Sequence, residues 1–174
     1  MKKKIWILEL WGFALTSLFG TLLHFLYEWS GSSLWVAPFS GVNESTFEHM
    51  KLLFWPMLIL AVLGRLFYRE REDYWCVKLR GTLLGLFLIP ALFYTYNGAI
   101  GQSPDWINIA IFFISAAIAY IYQAKAFYSD NVKCRFPRLS IVIFLLIGGL
   151  FVLFTFMTPE LPLFLDPLTK TYGI

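Results

Sequence analysis

The chain is 174 residues long, 59% hydrophobic and 20% aromatic, and only 14% of it is charged, against about a quarter in ordinary soluble domains. That balance excludes a water-soluble globular domain and favours lipid as the solvent. The net charge of +3 carries no message until the charges are placed along the chain.

A bilayer core about 30 Å thick calls for roughly 20 mostly apolar residues per helix, and five such runs follow one another. They cover about Ile5–Tyr27, Met50–Phe67, Leu79–Tyr96, Trp106–Tyr122 and Leu139–Met157. Glu9 and Arg65 sit near the ends of their runs, and the centres carry no charge. The runs are long and lack the alternation of barrel strands, so the expectation is an all-α integral membrane protein, a single domain of about five transmembrane helices. Lys2, Lys3 and Lys4 ahead of the first run resemble the start of a secretory signal. The run is too long for one, however, and ends in the bulky His24, Phe25, Leu26, Tyr27, Glu28 and Trp29, so it reads as a retained helix.

Orientation follows from the basic residues, which concentrate in cytoplasmic loops. Lys2, Lys3 and Lys4 precede the first span; Arg65, Arg69, Arg71, Lys78 and Arg80 surround the second connection; Lys125, Lys133, Arg135 and Arg138 surround the fourth. Only Lys51 and Lys170 fall on the other side. This places the N-terminus in the cytoplasm and the tail 158–174 outside a cell membrane. The outer face carries Glu28, Glu44, Glu48, Asp105, Glu160 and Asp166, and the inner face Glu9, Glu70, Glu72, Asp73 and Asp130. Topology and anionic inner-leaflet lipid therefore account for the basic residues, with no nucleic-acid partner. Cys76 and Cys134 fall in predicted cytoplasmic connections, where thiols stay reduced, so neither a structural disulfide nor a zinc site is expected of them.

Both histidines, His24 and His49, lie at the outer ends of the first two spans, among Glu28, Asn43, Glu44 and Glu48. His24 and Glu28 are four apart and share a helix face. An antiparallel pairing of the two helices would gather His24, Glu28, Glu44 and His49 as ligands, a set suited to zinc, iron or manganese rather than calcium or magnesium. Ser45 followed by Glu48 also spells a capping box, in which Ser accepts from the N3 amide and Glu reaches back to the N-cap amide. The other reading of the cluster is structural, each histidine bonding a carboxylate or carbonyl to hold helix ends together. Tyr94, Tyr96 and Asn97, with Asn43, are candidate substrate donors at the same face, whereas Trp29, Trp35 and Trp106 fit an interfacial aromatic belt. Pro56 and Pro90 interrupt the second and third spans, as packing features or as kinks that open a cavity. Three prolines keep the apolar tail from forming a long helix, and folding back would bring Asp166 to the outer cluster.

HFLYEW at His24–Trp29, VNESTFEHMKLL at Val42–Leu53, LFYTYNG at Leu92–Gly98 and LPLFLDPLTKTYGI at the C-terminus together resemble a family of small bacterial multi-span membrane proteins catalogued as a domain of unknown function. The chain departs from that pattern at Phe47, where Trp is usual, and at Lys170, where Gly is usual. The resemblance implies the multi-span architecture and no known reaction.

Three functional classes remain open. One is a metal-dependent hydrolase of a lipid or envelope substrate, with Glu48 or Asp166 as general base or acid. The second is a carrier of a cation or small solute, which needs polar groups deep in the bundle. The third is a structural or regulatory subunit whose basic loops meet anionic lipid or a partner.

Overall fold

The computed structural model describes residues 2–101, 104–129 and 132–174, so that Asp130 lies outside the described residues. Five long helices run in sequence: α1 (Lys2–Trp29), α2 (Thr46–Gly64), α3 (Tyr74–Ala99), α4 (Asp105–Ser129) and α5 (Pro137–Phe156). Each is long and apolar enough to cross a membrane. A 3-10 turn, Arg65–Phe67, extends α2, and another, Pro162–Phe164, lies in the tail. α2 and α3 form the centre of the bundle, with α1 packed on α2 and α4, and α5 packed on α3 and α2. Pro56 and Pro90 lie inside α2 and α3.

Two apolar clusters hold these elements. The larger joins Phe47 and Phe54 of α2 to Phe144 and Phe151 of α5 and to Phe164 of the tail, with ring centroids 4.5 Å apart for Phe47 and Phe164 and 5.0 Å for Phe54 and Phe151. Such offset and tilted pairs add to plain area burial. The smaller cluster sits at the basic end, where Tyr68, Tyr74 and Phe127 stack. Outward-facing Leu10, Trp11, Ile59, Val62, Phe87, Leu145 and Leu146 are exposed, as expected of side chains that meet acyl chains.

Helix boundaries differ from the apolar runs in one consequential place. α3 begins at Tyr74, five residues ahead of its run, because Tyr74 and Val77 are fully buried in the smaller cluster and extend the helix below the apolar stretch. Lys78 is thereby a buried helix residue and not a loop charge. Cys76 likewise enters the first turn of α3 and meets Cys134, 58 residues further on, with Cα atoms 5.8 Å apart, and the two form a disulfide. The expectation of two separate thiols is corrected: the segment after α4 folds back onto the start of α3, a proximity that loop charge alone does not reveal.

Candidate functional site

The connection between α1 and α2 is pinned from several sides. Ser40 donates to the Leu23 carbonyl and accepts from the Tyr27 amide at 2.9 Å, tying the connection to the end of α1. The Trp55 indole donates to the Pro38 carbonyl at 2.9 Å, and the buried Lys51 ammonium donates to the Ala37 carbonyl at 2.9 Å and to Thr155 Oγ1 at 3.0 Å. Ser45 caps α2, its Oγ accepting from the Glu48 amide. The reciprocal half of the expected capping box is replaced: Glu48 accepts from the Val42 amide at 2.9 Å and pairs with Lys51 at 2.7 Å, while Asn43 Oδ1 takes the Ser45 amide. Glu48 is thus committed to a buried ion pair.

The pinned connection delivers Glu44 between the two histidines. His24 Nε2 lies 3.4 Å from Glu44 Oε1, and His49 Nε2 lies 3.6 Å from Glu44 Oε2. One ligand atom from each of the three residues falls within 4.8 Å of the other two. Around a zinc ion with bonds of about 2.0–2.1 Å, tetrahedral ligand atoms lie roughly 3.3–3.4 Å apart; the two His–Glu distances are near that spacing, but they run to different Glu44 oxygens, so the three ligands would have to draw in to share one ion. Glu28 is exposed and stands outside this group, although it shares a helix with His24. Of the four residues expected to gather, the structure brings His24, Glu44 and His49 together and leaves Glu28 outside.

His49 Nδ1 lies 3.0 Å from the Ser45 carbonyl, a contact that requires a proton on Nδ1. In the neutral imidazole, Nε2 then carries a lone pair directed at a carboxylate oxygen. Two acceptors facing each other need a cation between them, either a proton or a metal ion. The backbone carbonyl that fixes the tautomer is the usual outer partner of a metal-bound histidine.

The tail closes over the same end. Asp166 is buried, and its Oδ1 accepts from the Leu168 and Thr169 amides at 2.7 and 3.3 Å while Oδ2 reaches the Glu44 amide at 3.5 Å. Asn43 donates to the Gly173 carbonyl at 2.9 Å. Asp166 and Asn43 therefore hold the tail and the connection together around Glu44. Asn97 donates to the Phe93 carbonyl within α3. Neither it nor Tyr94 or Tyr96 lines the cavity beside the cluster, which α4 lines instead through Asn108, Ile109, Phe112 and Phe113. This cavity measures about 340 Å³ and has His24, Glu44 and His49 at one end.

A second polar group lies at the opposite, basic end. Lys78 Nζ donates to both oxygens of Glu9, at 2.7 and 2.8 Å, and to Gln123 Oε1 at 2.8 Å, while the Tyr68 hydroxyl donates to Glu9 at 2.9 Å. The rings of Tyr68, Tyr74, Tyr120 and Phe127 surround the ammonium at 5.5–6.0 Å. Burial, and next to it the Glu9 carboxylate, push the Tyr68 phenol well above its ordinary range, so it stays a donor. Sequence reasoning left this group out. Its available signal was an acidic residue one turn into an otherwise apolar first span, which demands a partner.

Five membrane-length helices with a His–Glu–His group at one end and a buried ion pair at the other define a polytopic membrane protein. The profile described as "Family of unknown function (DUF6512)" matches residues 1–174, and the chain belongs to that family. No curated protein and no solved structure matches it.

Proposed function

We propose that the chain binds one divalent transition metal between His24, Glu44 and His49 on the extracytoplasmic face of a cell membrane and uses it for hydrolysis of an amphiphile. The observation that carries this reading is the convergence of two imidazoles and one carboxylate, from α1, α2 and their connection, within 4.8 Å on the wall of a cavity. Three protein ligands leave a fourth position for water, the arrangement of catalytic rather than structural zinc sites. A zinc ion held by these three residues would lower the pKa of a bound water to about 7 and so supply a nucleophile. Zinc, iron and manganese suit the mixed nitrogen and oxygen donors. Glu48 and Asp166 act as positioning residues, since one is paired with Lys51 and the other accepts backbone amides. The bias of basic residues to the opposite end supports the orientation.

Elemental mass spectrometry on protein purified in detergent without chelators tests the reading. The expected result is about one ion per chain, lost in His24→Ala and in His49→Ala variants that retain the helical signal and monodispersity of the parent. Absence of metal after incubation with zinc, iron or manganese would overturn it and leave the cluster as a lock between helix ends.

A further inference from the structure

The cavity beside the histidines has features of its own. Gly20 and Thr21 with Phe25 of α1 line one side, Ile109, Phe112 and Phe113 of α4 the other, and Leu52 of α2 the back. Its volume of about 340 Å³ lies in the range of small-molecule sites, roughly 300–1,000 Å³. The walls are apolar, and the polar groups collect where His24, Glu44, His49 and Asn108 meet. Gly20 sits where α1, α2 and α4 press together: a Cβ there would lie 2.5 Å from Phe112 Cζ and 2.9 Å from the Leu52 carbonyl oxygen.

Depth in the bilayer can be read from the tryptophans. Trp29 and Trp106 are about two-thirds exposed at the adjoining ends of α1 and α4, where aromatic residues mark the headgroup level. At 1.5 Å per residue, His24 lies about 7 Å below Trp29, and Gly20 and Phe112 lie about 13 and 9 Å below their tryptophans. The cavity therefore extends from the headgroup level into the upper half of a hydrocarbon layer about 30 Å thick. Phe25 and Ile109, on its two sides, are themselves exposed, so α1 and α4 leave a route open to the surrounding acyl chains.

We infer that the cavity between α1 and α4 receives the acyl chain of a membrane amphiphile directly from the bilayer, with an anionic oxygen headgroup at the His24–Glu44–His49 end. The metal reading enters this inference only at the headgroup. The apolar walls disfavour a charged or sugar-like ligand in the inner part, since its polar groups would lose their water there without gaining partners. Both a glycerophospholipid and a free fatty acid carry the required chemistry.

Photocrosslinking of the full chain in phosphatidylethanolamine–phosphatidylglycerol vesicles tests the site. One arm uses a phospholipid with a diazirine in its acyl chain, the other a free fatty acid with the same diazirine. The expected result, in one or both arms, is crosslinks concentrated on Thr21, Phe25, Ile109 and Phe113. Labelling should fall at least fivefold in Ile109→Trp or Thr21→Trp, which plug the opening from either side at partly exposed positions, and stay unchanged in Leu146→Trp on the exposed face of α5. Labelling in one arm alone identifies the source, and labelling in both shows that the site takes the acyl chain from either. Crosslinks spread evenly over all five helices, or insensitive to both plugs, would overturn the inference. Metal content measured on the same samples separates the two readings: localised chain crosslinks in a protein that binds no metal would sink the metal reading and the headgroup assignment that rests on it while keeping the acyl-chain site, and bound metal without localised crosslinks would sink the lipid site alone.

Discussion

Lys170 shows how a single residue can be at odds with its backbone. It adopts φ of 60°, in the left-handed region, where a β-carbon costs about 1–2 kcal/mol. It closes a small hairpin in which the Lys170 amide bonds the Asp166 carbonyl and the Asp166 amide bonds the Thr171 carbonyl, both at 3.0 Å. Glycine adopts this conformation without that cost, so Lys170→Gly should raise thermal stability by roughly 0.5–1 kcal/mol after allowing for the greater freedom of unfolded glycine. Thermal unfolding in detergent checks this, and an unchanged or lowered midpoint would count against the turn. At this scale the candidate site was partly legible. His24, Glu44 and His49 stood out because histidines at helix ends among carboxylates are conspicuous in an apolar chain. Glu28 was legible only as a helix neighbour of His24. Its exclusion depends on Ser40 and Lys51 steering the connection, and no local spacing encodes that.

At the scale of the elements, the helices themselves followed from the apolar runs, because a bilayer leaves an unbroken helix as the simplest way to satisfy the backbone. What the runs could not reveal is how charged residues near their ends choose partners. Glu9 and Lys78 are 69 residues apart and become neighbours only when α1 packs on α4 and α4 on α3. Breaking such a buried pair from one side typically costs about 3–5 kcal/mol, whereas replacing both partners with apolar residues is often neutral. Lys78→Met alone should therefore destabilise the bundle strongly, and Glu9→Leu combined with Lys78→Met should recover most of the loss. Equal destabilisation of the single and double variants, measured by thermal unfolding, would mean that the pair does not join the helices. The close fit of Gly81 against Gln123, where a Cβ would meet Gln123 Cγ at 2.4 Å, shows how tightly α3 and α4 are drawn together around this group.

For the molecule as a whole, two signals at the basic end point to different compartments. The excess of Lys and Arg is the pattern of a cytoplasmic end, yet Cys76 and Cys134 form a disulfide there, and disulfides persist chiefly in oxidising surroundings. The orientation proposed above therefore carries a measurable corollary. With the basic end in the cytoplasm, rapid acid quenching of cells followed by alkylation and mass spectrometry should find this pair, joined in the structure, held reduced by the surrounding thiol pool. A fully oxidised pair in quenched cells would reverse the proposed orientation and move the histidine end to the cytoplasmic side.

The three candidate ligands come from three separate stretches: a helix end, a loop and the first turn of another helix. An ion held by all of them acts as a removable rivet between parts of the chain that are far apart when it is unfolded. Its capture would be coupled by mass action to assembly of the bundle, worth about 2.7 kcal/mol when the free ion stands at a hundred times its dissociation constant. Environmental scarcity of that ion would then be felt as a looser protein before it was felt as a slower one.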